Sequence, residues 1–283
     1  MPSIAQPLSV ADHRRDISGM TYVYPVVSRR AGGVSVGINL IPNNACNWRC
    51  IYCQVPNLVR GGLPPLDLTR LAAELRQLLD EILNGDFMAR WVPEDCRVLS
   101  DIAFSGNGEP TSAPEFARAV ASVETILKEF GVAPTVKIRL ITNGSLLDRK
   151  AVREGIARIG DSGGEVWFKV DAATTKDSER INGTRQKPDS MRRRLLACAE
   201  LCETWVQSCF FALDGREPDQ AHVQAYLDFL AGIKNHVAGV HLYGVARESQ
   251  QPDAERLKRL PAVWFENMAT RLRDLGLTVK VSP

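Results

Sequence analysis

Three cysteines that lie within eight residues of one another carry the most distinctive chemistry in this sequence. They are Cys46, Cys50 and Cys53, in the segment CNWRCIYC at residues 46–53. Thiolates bind zinc ions and iron–sulfur clusters, but a structural zinc site takes four ligands and a cubane normally takes four as well. No further Cys or His lies close to them in the sequence. The spacing therefore predicts a metal centre with one open position, which is typical of a catalytic site.

Two alternative arrangements of the three cysteines remain open. Offsets of four and seven residues also place side chains on one face of a helix, where the thiols would form a buried stripe. The preceding residues Pro42, Asn43 and Asn44 favour a loop instead. In the second alternative, a fourth ligand from a distant part of the chain would complete a zinc site.

The motif C-x-x-x-C-x-x-C, with an aromatic residue before the last Cys, resembles the radical S-adenosylmethionine (SAM) superfamily. Residues 22–55 are similar to a branch of iron–sulfur oxidoreductases related to the wyosine-base synthases. The resemblance implies a [4Fe–4S] cluster on Cys46, Cys50 and Cys53, with SAM chelating the fourth iron through its amino and carboxylate groups. It also implies that one-electron reduction cleaves SAM and that a 5′-deoxyadenosyl radical then abstracts hydrogen from the substrate. A low-potential electron donor of the flavodoxin or ferredoxin type would supply the electron.

The sequence departs from that branch in one respect. Wyosine-base synthases use a second cluster held by cysteines that precede the SAM motif, and this sequence has no Cys before Cys46. A nucleoside, in tRNA or another RNA, is therefore one candidate substrate among others. The alternatives are an activase that generates a radical on a partner protein and a non-catalytic iron–sulfur binding protein. A mere binder would need only the cysteines, so the motifs further along the chain argue against it.

The segment AFSGNGEPT at residues 103–111 is the second motif of the resemblance. Gly106 and Gly108 free the backbone to approach a ligand closely, and Glu109 supplies an acceptor for the SAM ammonium. The family often has Gly-Gly-Glu here, and Asn107 replaces the first glycine of that trio. The alternative is an ordinary glycine turn that Glu109 caps.

Two further segments are expected to contact SAM. The resemblance suggests that Asn143, with Ser145, faces the ribose, and the alternative role of Ser145 is to cap a helix. Trp48 and Tyr52 are expected to pack over the cluster or the adenine.

Two charged residues lie at the ends of later predicted strands. Asp171 either pairs with Lys169 or serves the site, because a charge buried without a partner is costly. Arg247 is expected to bind the SAM carboxylate or a substrate anion, and the alternative is an exposed loop arginine. No catalytic residue is assigned.

The motifs follow predicted strands that alternate with predicted helices. The strands are expected at 34–41, 101–106, 136–142, 165–171, 206–213, 239–246 and 277–282. The helices are expected at 66–82, 114–130, 146–159, 190–204, 218–235 and 254–275. About six successive β–α units imply a parallel sheet with right-handed crossovers. The predicted fold class is therefore α/β, a partial (β/α)6 TIM-like barrel of the radical SAM type, with the site at the carboxyl ends of its strands.

Two basic segments have no assigned partner. Arg29 and Arg30, in SRRAGG at 28–33, could bind a phosphate or a carboxylate. The run RINGTRQKPDSMRRR at 180–194 is either a solvated charged face or a contact for an RNA backbone.

Composition limits the remaining possibilities. The chain has 283 residues, 45% hydrophobic and 24% charged, with a net charge of +2, which excludes a disordered or collagen-like protein. No uncharged apolar run approaches 18 residues, so no membrane span is predicted. The first residues lack a signal-like apolar stretch, so we expect a cytoplasmic protein. We predict one core domain at 21–283, ending in a helix and a short strand, after an N-terminal extension at 1–20.

Four cysteines lie outside the motif, namely Cys96, Cys198, Cys202 and Cys209. They could hold a second cluster. The segment LLACAELCETW surrounds two of them with leucines, however, and a free Cys packs well as a small hydrophobe. We therefore predict core packing for these thiols and a single cubane in the protein.

Overall fold

The computed structural model describes residues 7–9, 19–28 and 31–283. Arg29 and Arg30, and with them the predicted anion contact, lie outside the described residues. So does most of the predicted N-terminal extension, and its boundary stays a prediction. Of the part that is described, Leu8 is buried in the hydrophobic core, and its backbone N–H donates to the carbonyl of Trp91 at 2.7 Å.

The described residues contain one eight-stranded sheet that curls into a half-barrel. Its strands, in spatial order, are β1 (Val23–Ser28), β2 (Gly33–Ile38), β3 (Leu99–Phe104), β4 (Lys137–Thr142), β5 (Glu165–Lys169), β6 (Glu203–Phe210), β8 (Gly239–Gly244) and β10 (Val279–Ser282). A separate antiparallel ribbon consists of β7 (Ala212–Leu213) and β9 (Leu257–Lys258). In the large sheet, β1 is antiparallel to β2, and all other neighbours are parallel.

Helices connect the parallel strands. They are α1 (Leu68–Leu83), α2 (Phe87–Trp91), α3 (Phe116–Glu129), α4 (Lys150–Asp161), α5 (Thr175–Asn182), α6 (Pro188–Ala199), α7 (Gln220–Ala231) and α8 (Ala262–Asp274). Strands β2, β3, β4, β5, β6 and β8 are each followed by at least one helix, which makes six β–α units. The predicted partial (β/α)6 barrel is thus confirmed.

The connecting helices form where an apolar stripe can pack toward the sheet. In α1 the side chain of Asp67 accepts from the N–H of Arg70 and caps the first turn. The buried apolar positions of α1 are Leu71, Leu75, Leu78, Leu79 and Ile82. Their spacing of three to four residues places them on one face of the helix, so the helix joins the core through that face.

Several elements differ from the prediction, among them the helix expected at 190–204, which ends at Ala199 because β6 begins at Glu203. Three further differences have a clear local cause. Strand β1 was not predicted because it contains Pro25, which a sheet tolerates on an edge strand such as this one. Helix α5 was also not predicted; Thr174 caps it, and Gly183 ends it with a left-handed φ of 61°. Helix α8 begins at Ala262 rather than near 254, because the preceding residues form a turn and strand β9.

Two of the cysteines outside the motif pack in the main core, as predicted. Cys198 and Cys202 are 0% and 5% exposed, and burial raises the pKa of each thiol to about 12. Such thiols stay neutral and behave as small apolar side chains. None of the helices in the described part of the chain is both long and apolar enough to cross a membrane.

Candidate active site

The curled sheet and the loop that carries the three cysteines enclose a cavity of about 290 Å³. Most of the predicted site residues line it, namely Cys46, Cys50, Tyr52, Cys53, Gly106, Gly108, Glu109, Asn143 and Arg247. Asp171 and Ser145 lie behind this lining, where Asp171 contacts Tyr52 and Ser145 contacts Asn143. The structure therefore brings residues from five separate predicted motifs to one place.

The three thiols lie on an irregular loop after β2, which we call the cysteine loop (residues 44–59). Its ends are tied together by hydrogen bonds from the N–H of Cys46 to the carbonyl of Val59 and from the N–H of Val59 to the carbonyl of Asn44, both at 3.0 Å. The loop contains no helix. The alternative of a helical stripe of buried thiols is therefore wrong.

The end of helix α5 supports the middle of the cysteine loop. The backbone N–H of Arg49 donates to the carbonyl of Asn182 at 2.8 Å, and that of Ile51 donates to the carbonyl of Ile181 at 2.9 Å. The amide Nδ2 of Asn182 also lies 3.3 Å from the sulfur of Cys50. Helix α5 thus positions one thiol through both backbone and side chain.

The loop after β8 supports the last part of the cysteine loop. Ser249 Oγ donates to the carbonyl of Ile51 at 2.7 Å, and Gln251 Nε2 donates to that of Val55 at 2.8 Å. Arg247 Nε donates to Gln54 Oε1 at 2.8 Å, which fixes the arginine at the cavity wall. The alternative of an exposed loop arginine is therefore wrong, because this side chain is half-buried and lines the cavity.

Burial raises the pKa of two thiols of the cysteine loop. It raises the pKa of Cys50 to about 12, and the nearby Asp171 carboxylate acts in the same direction. Burial also raises the pKa of Cys46. These thiols therefore need a bound metal to become thiolates, because a coordinated thiol is deprotonated by the ion.

The donor set fits an iron–sulfur cluster. A zinc ion gathers its thiolates within about 2.3 Å of one point, whereas a cubane spreads its thiolates over separate irons. In the described residues, no three Cys, His, Asp or Glu side chains are arranged as ligands of a single ion. The zinc alternative therefore gains no support, and the three thiols around one cavity are the group that would hold a cluster.

Gly106 and Gly108 serve the packing of two loops against each other. A Cβ on Gly108 would lie 2.1 Å from the carbonyl oxygen of Ala45, and one on Gly106 would lie 2.4 Å from Asn39 Oδ1. Gly106 also has a φ of 138°, which other residues rarely adopt. Gly108 thus lets the loop after β3 dock beside the cysteine loop, and Gly106 lets it pack against Asn39 at the end of β2. The sequence did not reveal these requirements.

Glu109 is a buried carboxylate that the chain itself surrounds with donors. It accepts from Thr111 Oγ1 and Thr142 Oγ1 at 2.6 Å each, from the N–H of Asn143 at 2.7 Å and from the N–H of Thr111 at 3.2 Å. Burial raises its pKa, and these hydrogen bonds oppose that effect. Glu109 therefore fastens the loop after β3 to the end of β4 and caps the following turn, as the structural alternative predicted. Its contact with the SAM ammonium stays a prediction.

Asn47 joins the cysteine loop to the loop after β4. Its Oδ1 accepts from Asn143 Nδ2 at 2.9 Å, and its Nδ2 donates to Ser145 Oγ at 2.7 Å. Ser145 does not cap a helix, because α4 begins only at Lys150, and that alternative is wrong. The ribose contacts of Asn143 and Ser145 stay predictions.

Asp171 forms the ion pair with Lys169 that the sequence offered as one possibility, at 3.5 Å between Oδ1 and Nζ. The carboxylate also accepts from the Tyr52 hydroxyl at 2.5 Å, Asn182 Nδ2 at 2.9 Å and the N–H of Cys209 at 3.0 Å. Burial, and next the Asp171 charge, raise the pKa of Tyr52, so its hydroxyl stays a donor. Asp171 is thus a buried support for Tyr52, which directly precedes Cys53.

Sequence reasoning missed several side chains that the fold brings to the cavity or to the loops around it. Asn182 and Asn47 were passed over because their partners are distant in sequence. Arg139 and Gln207 point into the barrel, and the period-two alternation of VKIRLIT and VQSCFFAL was the available signal for them.

The comparison with family models identifies the class of protein. The model of the Radical SAM superfamily matches residues 40–230. The chain therefore belongs to the radical SAM superfamily, and the resemblance inferred from the cysteine motif is confirmed.

A curated relative resembles about half of this chain. The UPF0026 protein MJ1312 of Methanocaldococcus jannaschii is 29% identical over 160 residues, which cover 56% of this chain and 42% of that protein. The chain spans less than half the length of the curated relatives it matches.

Two solved structures share the fold. TYW1 with a lysine–pyruvate adduct bound has a TM-score of 0.57 at 16% identity, over 86% of this chain and 74% of that one. A radical SAM methyltransferase from Sphaerobacter thermophilus has a TM-score of 0.61 at 12% identity, over 92% of this chain and 68% of that one. At these identities the likeness establishes the fold alone.

Proposed function

We propose that the protein holds a [4Fe–4S] cluster on Cys46, Cys50 and Cys53, binds SAM beside it and acts on a substrate in the same cavity. The observation that carries the proposal is the meeting of two loops, since the cysteine loop and the loop of Gly108 and Glu109 line one enclosed space. When bound, the cluster and SAM supply one-electron cleavage of SAM and radical abstraction of hydrogen. The protein supplies positioning and exclusion of side reactions.

The chain's own groups suit the polar parts of SAM. Gly106 and Gly108 line the cavity and have no side chain, so the backbone there is exposed to a ligand and its carbonyl groups are candidate acceptors for an ammonium. Arg247 is held at the wall by Gln54, and a guanidinium there pairs with a carboxylate of SAM or of the substrate. Tyr52 and Trp48 line the same space with aromatic rings.

A groove on the outer side of the cysteine loop supports an acidic electron donor as partner. Cys46 lines both the inner cavity and this groove, so this residue lies between the two spaces. The exposed Arg60 and Arg149 also line the groove, and the described residues that form it include no Asp or Glu. Flavodoxins and ferredoxins are one-electron carriers, and an acidic one would be attracted here.

The basic run at 180–194 gives less support to an RNA substrate. Arg180 pairs with Asp177 at 3.0 Å, Arg185 lies 3.6 Å from Glu179, and Arg194 pairs with Asp148 at 2.6 Å. Several of its charges are therefore compensated within the chain, which favours the solvated face. A nucleoside or tRNA base is thus a candidate that rests on the family resemblance.

The deciding experiment is reductive cleavage of SAM. Protein reconstituted with iron and sulfide under anaerobic conditions should convert SAM to 5′-deoxyadenosine and methionine when a chemical reductant is added. A variant with Ala at the three motif cysteines should form neither product, and Cys96→Ala should match the wild type. A protein that binds a cluster but forms no 5′-deoxyadenosine is the non-catalytic binder. Cleavage that requires a partner protein would favour the activase.

A further inference from the structure

The inner faces of the central strands are polar, although they are buried. Side chains alternate along each strand, so Ile102, Leu140 and Val206 pack outward in the core. The inward positions that line the cavity include Asp101, Arg139, Lys169 and Gln207. We call this part of the cavity the lumen. Because buried polar groups are costly without partners, each of these side chains should have a hydrogen-bond or ion-pair partner.

One part of the lumen is satisfied by the chain itself. Arg139 forms ion pairs with Asp101 and with Glu165, which close a triad across three neighbouring strands. Ser35 Oγ donates to Asp101 as well. The guanidinium of Arg139 also lies 5.0 Å from the ring centre of Trp167. The charges of this triad are paired with one another, so the triad gives no indication of a ligand.

Another part of the lumen is not satisfied. Gln207 is 1% exposed and lines the cavity, and its Nε2 donor has no hydrogen-bond partner among the described residues. Lys169 is its direct cross-strand neighbour in the register of β5 and β6, so both side chains point the same way. The ammonium of Lys169 donates to the Tyr243 hydroxyl at 2.9 Å and lies 3.5 Å from Asp171 Oδ1. Two donors, one of them cationic, thus lie side by side at the lumen.

We propose that Gln207 and Lys169 bind a carboxylate group of the substrate. This inference rests on the proposed function, because it takes the lumen to be the place where the substrate meets the radical. The two oxygens of a carboxylate accept from two adjacent donors at once, whereas a neutral carbonyl offers one oxygen. A phosphate dianion fits less well, because Asp171 already offsets the charge of Lys169. The substrate class is therefore a small molecule with a carboxylate.

The probes are acetate, succinate and benzoate, each compared with its amide by saturation-transfer NMR. The sample is the reconstituted protein saturated with SAM, so that the carboxylate of SAM is already in place. At least one carboxylate should receive saturation, and its amide should receive much less. No transfer to any of the three carboxylates, or equal transfer to the amides, would overturn the proposal.

Variants separate this site from its surroundings. Gln207→Glu replaces the donor by a repelling carboxylate and should weaken binding of the carboxylate about tenfold or more. Lys169→Met should do the same, and Gln207→Glu keeps the test valid if the lysine variant fails to fold. The exposed Gln77→Glu is the matched control and should bind as the wild type does.

Two outcomes distinguish this inference from the proposed function. In Gln207→Glu the affinity for SAM should fall much less than the affinity for the carboxylate. A fall in SAM affinity as large as the loss of carboxylate binding would assign Gln207 to the SAM site and overturn the proposal. A wild-type protein that binds the carboxylate but does not cleave SAM would overturn only the proposed function.

Discussion

We call the cysteine loop and the loop and strand ends that carry Glu109 and Asp171 the mouth of the cavity. Polar groups at the mouth are satisfied by the chain, whereas one donor among the described residues of the lumen is not. At the mouth, Glu109 accepts four hydrogen bonds and Asp171 accepts three, so these carboxylates are fixed before any ligand arrives. In the lumen, the amide of Gln207 keeps an unpaired donor. The difference indicates two tasks, since a fixed mouth suits a cofactor and an open donor suits a substrate.

The largest expected effect comes from removing the thiols of the mouth. Ala at all three motif cysteines should abolish iron binding and the brown colour, because the protein ligands of the cluster are gone. Circular dichroism should show a retained fold, since backbone hydrogen bonds hold the loop. The control replaces three thiols elsewhere, Cys96, Cys198 and Cys202, and should keep about four irons per chain. Full iron content in the first variant would refute the assignment.

The next effect concerns the contact between the two loops of the mouth. Gly108→Ala places a Cβ against the carbonyl of Ala45, so the cysteine loop must shift. Overpacking of this kind costs about 1–3 kcal/mol, and iron retention should fall with it. Gly61→Ala is the matched control, because a Cβ there has no neighbour within 4 Å. Thermal melting and iron analysis should separate the two variants, and equal behaviour would argue against tight docking.

A smaller effect is expected at Glu109. Glu109→Ala removes the carboxylate that we expect to accept from the SAM ammonium, and a charge-assisted bond is worth about 1.5–3 kcal/mol. SAM affinity measured by calorimetry should fall roughly ten- to hundredfold, since about 1.4 kcal/mol is a factor of ten. Iron content should hold. The exposed Glu94→Ala should change neither quantity, and an unchanged affinity in Glu109→Ala would confine that residue to a structural role.

The smallest effect tests how the mouth influences the cluster electronically. Asn182 donates toward the sulfur of Cys50, and hydrogen bonds to cluster sulfurs affect the reduction potential. Removing a bond worth about 1 kcal/mol corresponds to roughly 40 mV for a one-electron couple. Asn182→Ala should therefore lower the midpoint potential in a redox titration, with the exposed Asn235→Ala as control. A potential equal to that of the wild type would limit the role of the Asn182 side chain to its contact with Asp171.

The order of elements could be predicted because local patterns determine it. The apolar face of α1 and the strands β3, β4 and β8 follow directly from side-chain periodicity. The elements that were not predicted have local causes of another kind. Pro25 is untypical of a strand and lies in β1, and Gly183 ends the short helix α5 within a basic run. A helix cap or an edge position depends on a single residue. A pattern that is read over many residues does not detect it.

The site was predictable only in part for a different reason. The three thiols are recognisable by their spacing, and Glu109 and Asn143 by their place after strands. Asn182 lies 132 residues after Cys50, and no local pattern links the two. The same holds for Gln207 beside Lys169, because their proximity depends on the register between β5 and β6.

The hydrogen bonds between the cysteine loop and the loop after β8 affect when the metal site can mature. The Ser249 hydroxyl donates to the carbonyl of Ile51, which lies 198 residues earlier in the sequence. The N–H of Gln250 donates to the carbonyl of Cys53. While the ribosome is still producing the later β–α units, the cysteine loop lacks these partners. Contacts of such long sequence separation form late in folding. Assembly of a metal centre on this loop is therefore an event that follows synthesis of most of the chain.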